Sequence, residues 1–211
     1  IKRTPVSEYA AQSKGGMGKK GITTREEDYV VDVFTASTHD YILFFTDTGK
    51  VYRKKGYQIP ESGKTAKGTN IVNILQVEQG ERIQTMVHFR DFTEDEVYLF
   101  MVTRNGTVKR LAASALKNIR ASGIRALRLD EGDELISVRE TDGKQNILIA
   151  THDGMAVCFD ENDVRAMGRD AVGVRGIRLR DGDYVVGAAR AAEGKCLLSI
   201  TEKGYGKRTP V

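Results

Sequence analysis

Apolar positions along the chain fall in short runs separated by glycine-bearing turns, and the same pattern returns four times. Each copy is an apolar strand, a turn ending on glycine, and a second strand in which apolar and basic residues mix. The copies cover residues 41–54, 97–110, 147–159 and 196–208, with turn glycines Gly49, Gly106, Gly154 and Gly204. These glycines lie 57, 48 and 50 residues apart. Self-similarity at such a period marks a repeat architecture, in which one supersecondary unit stacks on the next. Asn105 with Gly106, and Asp153 with Gly154, predict hairpins closed by two-residue type I′ turns, because these residue types tolerate the positive φ needed at both central positions. Thr48 with Gly49 and Lys203 with Gly204 occupy the same slot.

Two more anchors recur in each complete unit. Residues 67–74, 122–129 and 172–179 alternate apolar with basic or polar side chains, which predicts strands with one buried and one wet face. Acidic turns follow at Gln79 to Glu81, Glu131 to Asp133 and Asp181 to Asp183, each leading into another short apolar strand. Units of about four strands predict an all-β propeller, whose blades pack radially and leave few open sheet edges. The units are roughly 1–40, 41–95, 96–145 and 146–195, with a partial unit at 196–211. Leucine-rich repeats would be shorter and tetratricopeptide repeats helical. One weakly helical segment, Leu111 to Leu116, falls between the second and third strands of its unit. Lys2 to Val6 recurs as Lys207 to Val211, 205 residues later. Both ends therefore sit at the same phase of the repeat, and the chain reads as a piece of a longer array.

Composition changes this picture little. Of 211 residues, 40% are hydrophobic and 29% charged, in the range of a folding globular chain. The formal charge is only +4, from 33 Lys and Arg against 29 Asp and Glu, so sign distribution matters more than the sum. Cys158 and Cys196 lack the spacing of a disulfide framework or zinc ribbon. No apolar run approaches a membrane span, the first residues do not open a signal peptide, and the expected location is the cytoplasm.

Basic residues gather at two phases of the repeat. After the hairpin turn come Lys50, Arg53, Lys54 and Lys55, then Lys109 and Arg110, then Lys207 and Arg208; Lys2 and Arg3 hold this phase at the chain start. Around the second anchor come Lys64 and Lys67, then Arg120, Arg125 and Arg128, then Arg165, Arg169, Arg175 and Arg178. Acids collect elsewhere, in the third-anchor turns and at Asp160, Glu161 and Asp163. Repeated every blade, this segregation lays a basic stripe along the disc perimeter, suited to bent duplex DNA. No recognition helix or zinc finger is present, so backbone contact with shape readout is expected rather than base readout.

Gln12 to Gly21 interleaves four glycines with Lys14, Lys19 and Lys20. Such a loop offers phosphates many backbone N–H groups and charges. Its formal GxGxxG at Gly16 to Gly21 lacks the preceding apolar strand and following helix of a dinucleotide site. Gly63 to Thr65 lacks the upstream glycine of a P-loop. His39, His88 and His152 stand apart from one another, which argues against a metal site, and Glu26 to Asp28 reads as a solvated turn rather than acid/base machinery. No catalytic residue and no metal ligand is expected.

These segments together carry a resemblance. Pro5 to Tyr9 leading into Gln12 to Gly18, then Gly56 to Pro60, Ile71 to Leu75, Ala166 to Gly168, Gly173 to Leu179 and Gly204 to Thr209, resemble the C-terminal domain family of the bacterial DNA gyrase A protein. The likeness covers essentially the whole chain. It implies a β-pinwheel, a propeller variant with strands exchanged between neighbouring blades, usually six of them, wrapping DNA on its rim. It also implies a role for the seven-residue box, read QRRGGRG or close to it, in wrapping and negative supercoiling. Here Gln12, Lys14, Gly15, Gly16 and Gly18 keep the box, Ser13 and Met17 replace basic positions, and Lys19 with Lys20 follow just downstream. The implied partners are double-stranded DNA, the cleavage domain of the gyrase A protein and the gyrase B protein in an A2B2 holoenzyme. The domain itself would be monomeric and without a cofactor, ATP and magnesium being used elsewhere. The competing readings are the DNA-binding C-terminal domain of topoisomerase IV, in which the box is lacking, and a propeller serving as a protein-interaction platform. The latter should expose aromatics on a flat face, and the chain has no Trp and only 7% aromatics.

Overall fold

The computed structural model describes residues 1–9, 22–92, 96–192 and 195–210. Its strands are β1 (Tyr41–Thr46), β2 (Lys50–Lys55), β3 (Ile83–Phe89), β4 (Tyr98–Thr103), β5 (Thr107–Ala112), β6 (Ile124–Arg125), β7 (Leu135–Thr141), β8 (Asn146–Thr151), β9 (Ala156–Asp160), β10 (Val174–Arg175), β11 (Val185–Ala191), β12 (Cys196–Ile200) and β13 (Gly206–Pro210). They form two four-stranded sheets, ordered β3-β1-β2-β6 and β10-β5-β4-β7, a three-stranded sheet ordered β11-β8-β9, and the β12-β13 hairpin. All strand pairs are antiparallel.

Strand exchange is visible in the order. The outer strand of the first sheet, β6, comes from the following repeat and pairs Lys50 with Arg125 and Val51 with Ile124. In the second sheet β10 does the same, pairing Val174 with Val108 and Arg175 with Thr107. Strand β7 packs against both β3 and β11, so these strands form the inner edges of their sheets, with β6 and β10 at the opposite, outer edges. Among the described residues no strand covers the outer edge of β9.

The hairpins differ from the two-residue turns expected. Asn105 and Asp153 do not adopt positive φ; Glu96 is the one non-glycine residue to do so among those described. Three residues instead lie between a threonine and the residue at which the chain returns (46/50, 103/107, 151/155 and 201/205), and the glycine N–H donates back to the carbonyl of Thr46, Thr103, Thr151 or Thr201. Glycine alone takes the left-handed position, as in a type I turn with a bulge. The threonine is the repeated signal: its hydroxyl accepts the N–H of Lys50, Thr107, Met155 or Tyr205 at 3.1 to 3.2 Å.

The hairpin glycine also makes the seam. The Gly49 carbonyl accepts from Ala126 and Leu127, and the Gly106 carbonyl from Gly176 and Ile177. A Cβ on Gly49 would sit 2.5 Å from the Leu127 oxygen, so only glycine allows that approach.

Alternation fills the space between sheets. Leu43 and Phe45 of β1 join Leu99, Met101, Leu111 and Leu127 in one core cluster. Phe100 and Val102 of β4 join Val108, Ile147 and Ile149 in the next, while Ile42 and Phe44 face a third with Tyr52, Ile59 and Leu75. Because both faces of β1 and β4 are covered, these strands read as continuous apolar runs. The segment read as weakly helical is divided: β5 runs through Ala112, and a single 3-10 turn spans Ala113–Leu116. The second anchor of the first complete unit is not a strand; Ile71–Asn73 forms a 3-10 turn capped by the Asn70 side chain.

Candidate nucleic-acid interface

The acidic turns proved structural. Asp133 Oδ1 accepts the N–H groups of Asn105 and Glu134, and Asp183 Oδ1 those of Asp153 and Tyr184. Glu81 accepts from the hydroxyls of Thr48 and Tyr52. Each acid thus ties its turn to the hairpin of its own unit. His152, Asp153 and Asp183 bring ligand atoms within 4.8 Å of one another. Asp183 already uses one oxygen on the turn, and the other two residues pair with each other at 2.9 Å.

The basic residues divide into three groups. Lys109 was expected on the rim but is fully buried, its ammonium donating to the carbonyls of Ala126 (2.9 Å), Arg169 (2.7 Å) and Ala171 (2.9 Å). The reason is positional: the third residue after the hairpin glycine points into the gap between the exchanged strand and the next repeat. Burial pushes this ammonium down to about 8, against the opposing pull of the Asp170 carboxylate, which raises it. Arg110, also assigned to the rim, is buried as well; it donates to Asn162 Oδ1, lies 3.6 Å from buried Glu161 and stacks 4.4 Å from the Tyr98 ring centre. Lys2 and Arg3 repeat this use. Lys2 Nζ donates to the carbonyls of Gly63, Lys64 and Ala66, and Arg3 to Ile59 and Glu61.

A second group is half-buried on aromatic rings. The Arg53 guanidinium lies 5.0 Å from the Tyr41 ring centre and donates to the Lys117 carbonyl. Lys55 sits 3.3 Å over the same ring, and Lys64 lies 4.3 Å over Tyr9 and donates to the Glu8 carbonyl. Lys54 is half-buried. The third group is exposed: Lys67, Arg120, Arg125, Arg128, Arg165, Arg169, Arg175, Arg178, Lys207 and Arg208. Among the described residues no carboxylate lies within salt-bridge distance of any of them. Arg125 and Arg175 hold equivalent places on exchanged strands, three residues ahead of Arg128 and Arg178. The box residues Gln12, Lys14, Gly15, Gly16, Gly18, Lys19 and Lys20 lie outside the described residues.

Sequence reasoning missed a set of paired arginines. Arg82 bridges Asp47 (3.2 Å) and Glu134 (3.3 Å), and Arg104 reaches Glu134 (3.4 Å) while stacking 3.9 Å from the Tyr184 ring centre. The Arg82–Glu134 and Arg104–Tyr184 contacts tie successive blades together, while Arg82–Asp47 and Arg104–Glu134 brace the turns of one blade; all four partners are distant in sequence. At the boundary of the first two sheets lies a cleft of about 630 Å³ that gathers Arg53, Arg120, Arg125 and Arg169.

A family model described as the DNA gyrase C-terminal domain, a β-propeller, matches residues 1–37, 40–87, 98–142, 145–192 and 197–211. Curated relatives include the DNA gyrase A proteins of Staphylococcus aureus strains MRSA252 and NCTC 8325, each 46% identical over 213 residues and covering 100% of this chain. The chain spans 24% of their length. Among solved structures, the C-terminal domain of DNA topoisomerase IV superposes with a TM-score of 0.81 at 29% identity, covering 100% of this chain and 64% of that one. A DNA gyrase A C-terminal domain gives 0.77 at 29% identity, covering 98% and 67%.

Proposed function

We propose, from the premise that the chain belongs to the DNA gyrase C-terminal domain family, that it binds duplex DNA without sequence preference and wraps it along its outer rim. The observation that carries this reading is the exposed set of guanidinium groups without acidic partners, at the same phase of successive repeats and outward of the inner strands. Unpaired arginines in fork geometry suit phosphate oxygens, and a curved row of them lowers the cost of bending a duplex. The domain takes no part in bond breaking on this reading. It serves ATP-dependent negative supercoiling as part of an A2B2 gyrase holoenzyme in the bacterial cytoplasm. The box from Gln12 to Lys20 acts as an end clamp on the wrapped duplex.

Shape does not separate this from a plain DNA-binding topoisomerase IV domain, since both folds superpose closely. Identity of 46% over the whole chain favours the gyrase reading. The test is a topology assay on relaxed, nicked circles sealed by ligase with the domain present. The expected result is a trapped shift in linking number, lost when Lys14, Lys19 and Lys20 are changed together to Ala while affinity remains measurable. Binding without any trapped shift would favour the topoisomerase IV reading.

A further inference from the structure

We propose that the cleft of Arg53, Arg120, Arg125 and Arg169 is a phosphate seat taking two adjacent phosphodiesters of one DNA strand, assembled only where three consecutive repeats meet. This rests on the DNA-binding reading above and names where on the rim the backbone is gripped hardest. The cleft has no acidic lining residue, and Asn118 and Ser122 are its neutral polar members. Arg120, Arg125 and Arg169 face solvent with no acidic partner among the described residues. Three free guanidinium forks offer more donors than one phosphate can accept, which suits a neighbouring pair.

The seat is held in shape from behind. Arg53 belongs to β2 of the first complete unit and is fixed by the Tyr41 and Phe92 rings, at 5.0 and 5.9 Å. Arg125 lies on the exchanged strand β6, opposite Lys50. Arg169 comes from the third repeat, and its carbonyl is bound to the same Lys109 ammonium that binds the Ala126 carbonyl. Lys109 is therefore a positioning residue: one buried cation pins the backbone beside Arg125 to the backbone of Arg169. A ligand spanning these groups binds only the exchanged arrangement, so occupancy stabilises the β2–β6 pairing by mass action.

The experiment uses the whole chain with a short mixed-sequence duplex. Changing Arg120, Arg125 and Arg169 together to Gln should lower the magnitude of the log–log salt slope by about 1.8, at about 0.9 per phosphate, and weaken binding roughly tenfold or more. Hydrogen exchange at the amides of β6 should slow on adding duplex to the unchanged chain and not to the triple variant. A control removing the same charge elsewhere, Arg90→Gln with Lys144→Gln and Arg180→Gln, should keep both the slope and the protection. Thermal melting checks that the triple variant folds, and Arg120→Gln alone, at an exposed position, should lower the slope by a smaller step. An unchanged slope, or an equal fall in the control, overturns the seat while leaving rim binding intact. Stabilisation by inorganic pyrophosphate without duplex protection of β6 would also overturn it, in favour of a small free anion. No duplex binding by the unchanged chain would instead overturn the broader reading.

Discussion

The two closed seams solve the same packing problem with opposite chemistry. At the third position after the hairpin glycine, the first seam has Tyr52 and the second has Lys109. Tyr52 stands opposite Phe44 and Lys109 opposite Met101, so the two side chains enter equivalent gaps. Tyr52 fills its gap with a ring that would lie 2.9 Å from a Cβ on Gly123, and its hydroxyl donates to Glu81. Lys109 fills its gap with charge, bound by three carbonyls of two later segments. One seam is therefore chiefly packed and the other chiefly hydrogen-bonded. Buried basic character in a repeat is not evidence of a ligand, and the same Lys-Arg pair serves structure at 2–3 and 109–110.

The largest test of this difference is Lys109→Met. It keeps the volume but leaves three carbonyls without a donor, and should cost about 3 kcal/mol or more in denaturant unfolding. A cost below about 1 kcal/mol would mean that water replaces the ammonium freely, as at a surface site. Next comes Gly49→Ala beside Gly154→Ala. Both glycines have φ near +80°, but a Cβ on Gly49 meets the Leu127 oxygen while that on Gly154 meets nothing within 4 Å. The second change should cost about 1 kcal/mol from φ alone and the first about 2–3 kcal/mol, the difference reporting the closed seam. Equal costs would show that the hairpin glycine carries no seam contact.

Tyr52→Phe should cost less, about 1 kcal/mol, because Glu81 retains the Thr48 hydroxyl and the Glu78 N–H as donors. The smallest effect is in alkaline solution. Burial, then the bond to Glu81, pushes the Tyr52 phenol up to about 12, whereas burial pushes Lys109 down to about 8. Between about 8 and 10.5 the folded chain holds fewer protons at Lys109 than the unfolded one, so that contribution to stability rises with pH. From 10 to about 12 the folded chain holds more protons at Tyr52, so its contribution, complete below 10, is lost across that window. Denaturation midpoints against pH should lose the rise in Lys109→Met and the fall in Tyr52→Phe; identical pH profiles in all three proteins would contradict both shifts.

What the chain discloses to a reader of its sequence follows from which interactions are local. Gly49, Gly106, Gly154 and Gly204 each need a left-handed backbone within a few residues of an apolar strand, and that signal stands in the sequence. The turn type does not, because Asn105 and Asp153 suit a type I′ turn and a type I turn with a bulge equally, and the Thr103 and Thr151 hydroxyls decide. Burial of Lys109 was illegible because its acceptors are backbone carbonyls up to 62 residues away, which no residue type announces. The recurrence of Lys-Arg behind the hairpin glycine was visible, yet repetition fits a structural lysine as well as a rim lysine. The resemblance carried the exchange of strands; periodicity alone gave four strands per unit without saying which repeat owned the fourth.

Exchange also sets a clock on synthesis. Lys50 finds its outer partner in Arg125, 75 residues later, and Thr107 waits 68 residues for Arg175. At roughly 5–20 residues per second, the first sheet stays open on the ribosome for about 4–15 s after β2 emerges. An open edge invites pairing with a neighbouring nascent chain, and lysines along the strand are a common deterrent. Strand β2 reads Lys50, Val51, Tyr52, Arg53, Lys54, Lys55, four cations in six residues. Charges that end on the Tyr41 ring or beside Glu78 thus first guard an unfinished edge, so neutralising Lys50, Lys54 and Lys55 would show itself in the yield of soluble chain before it showed in any property of the folded one.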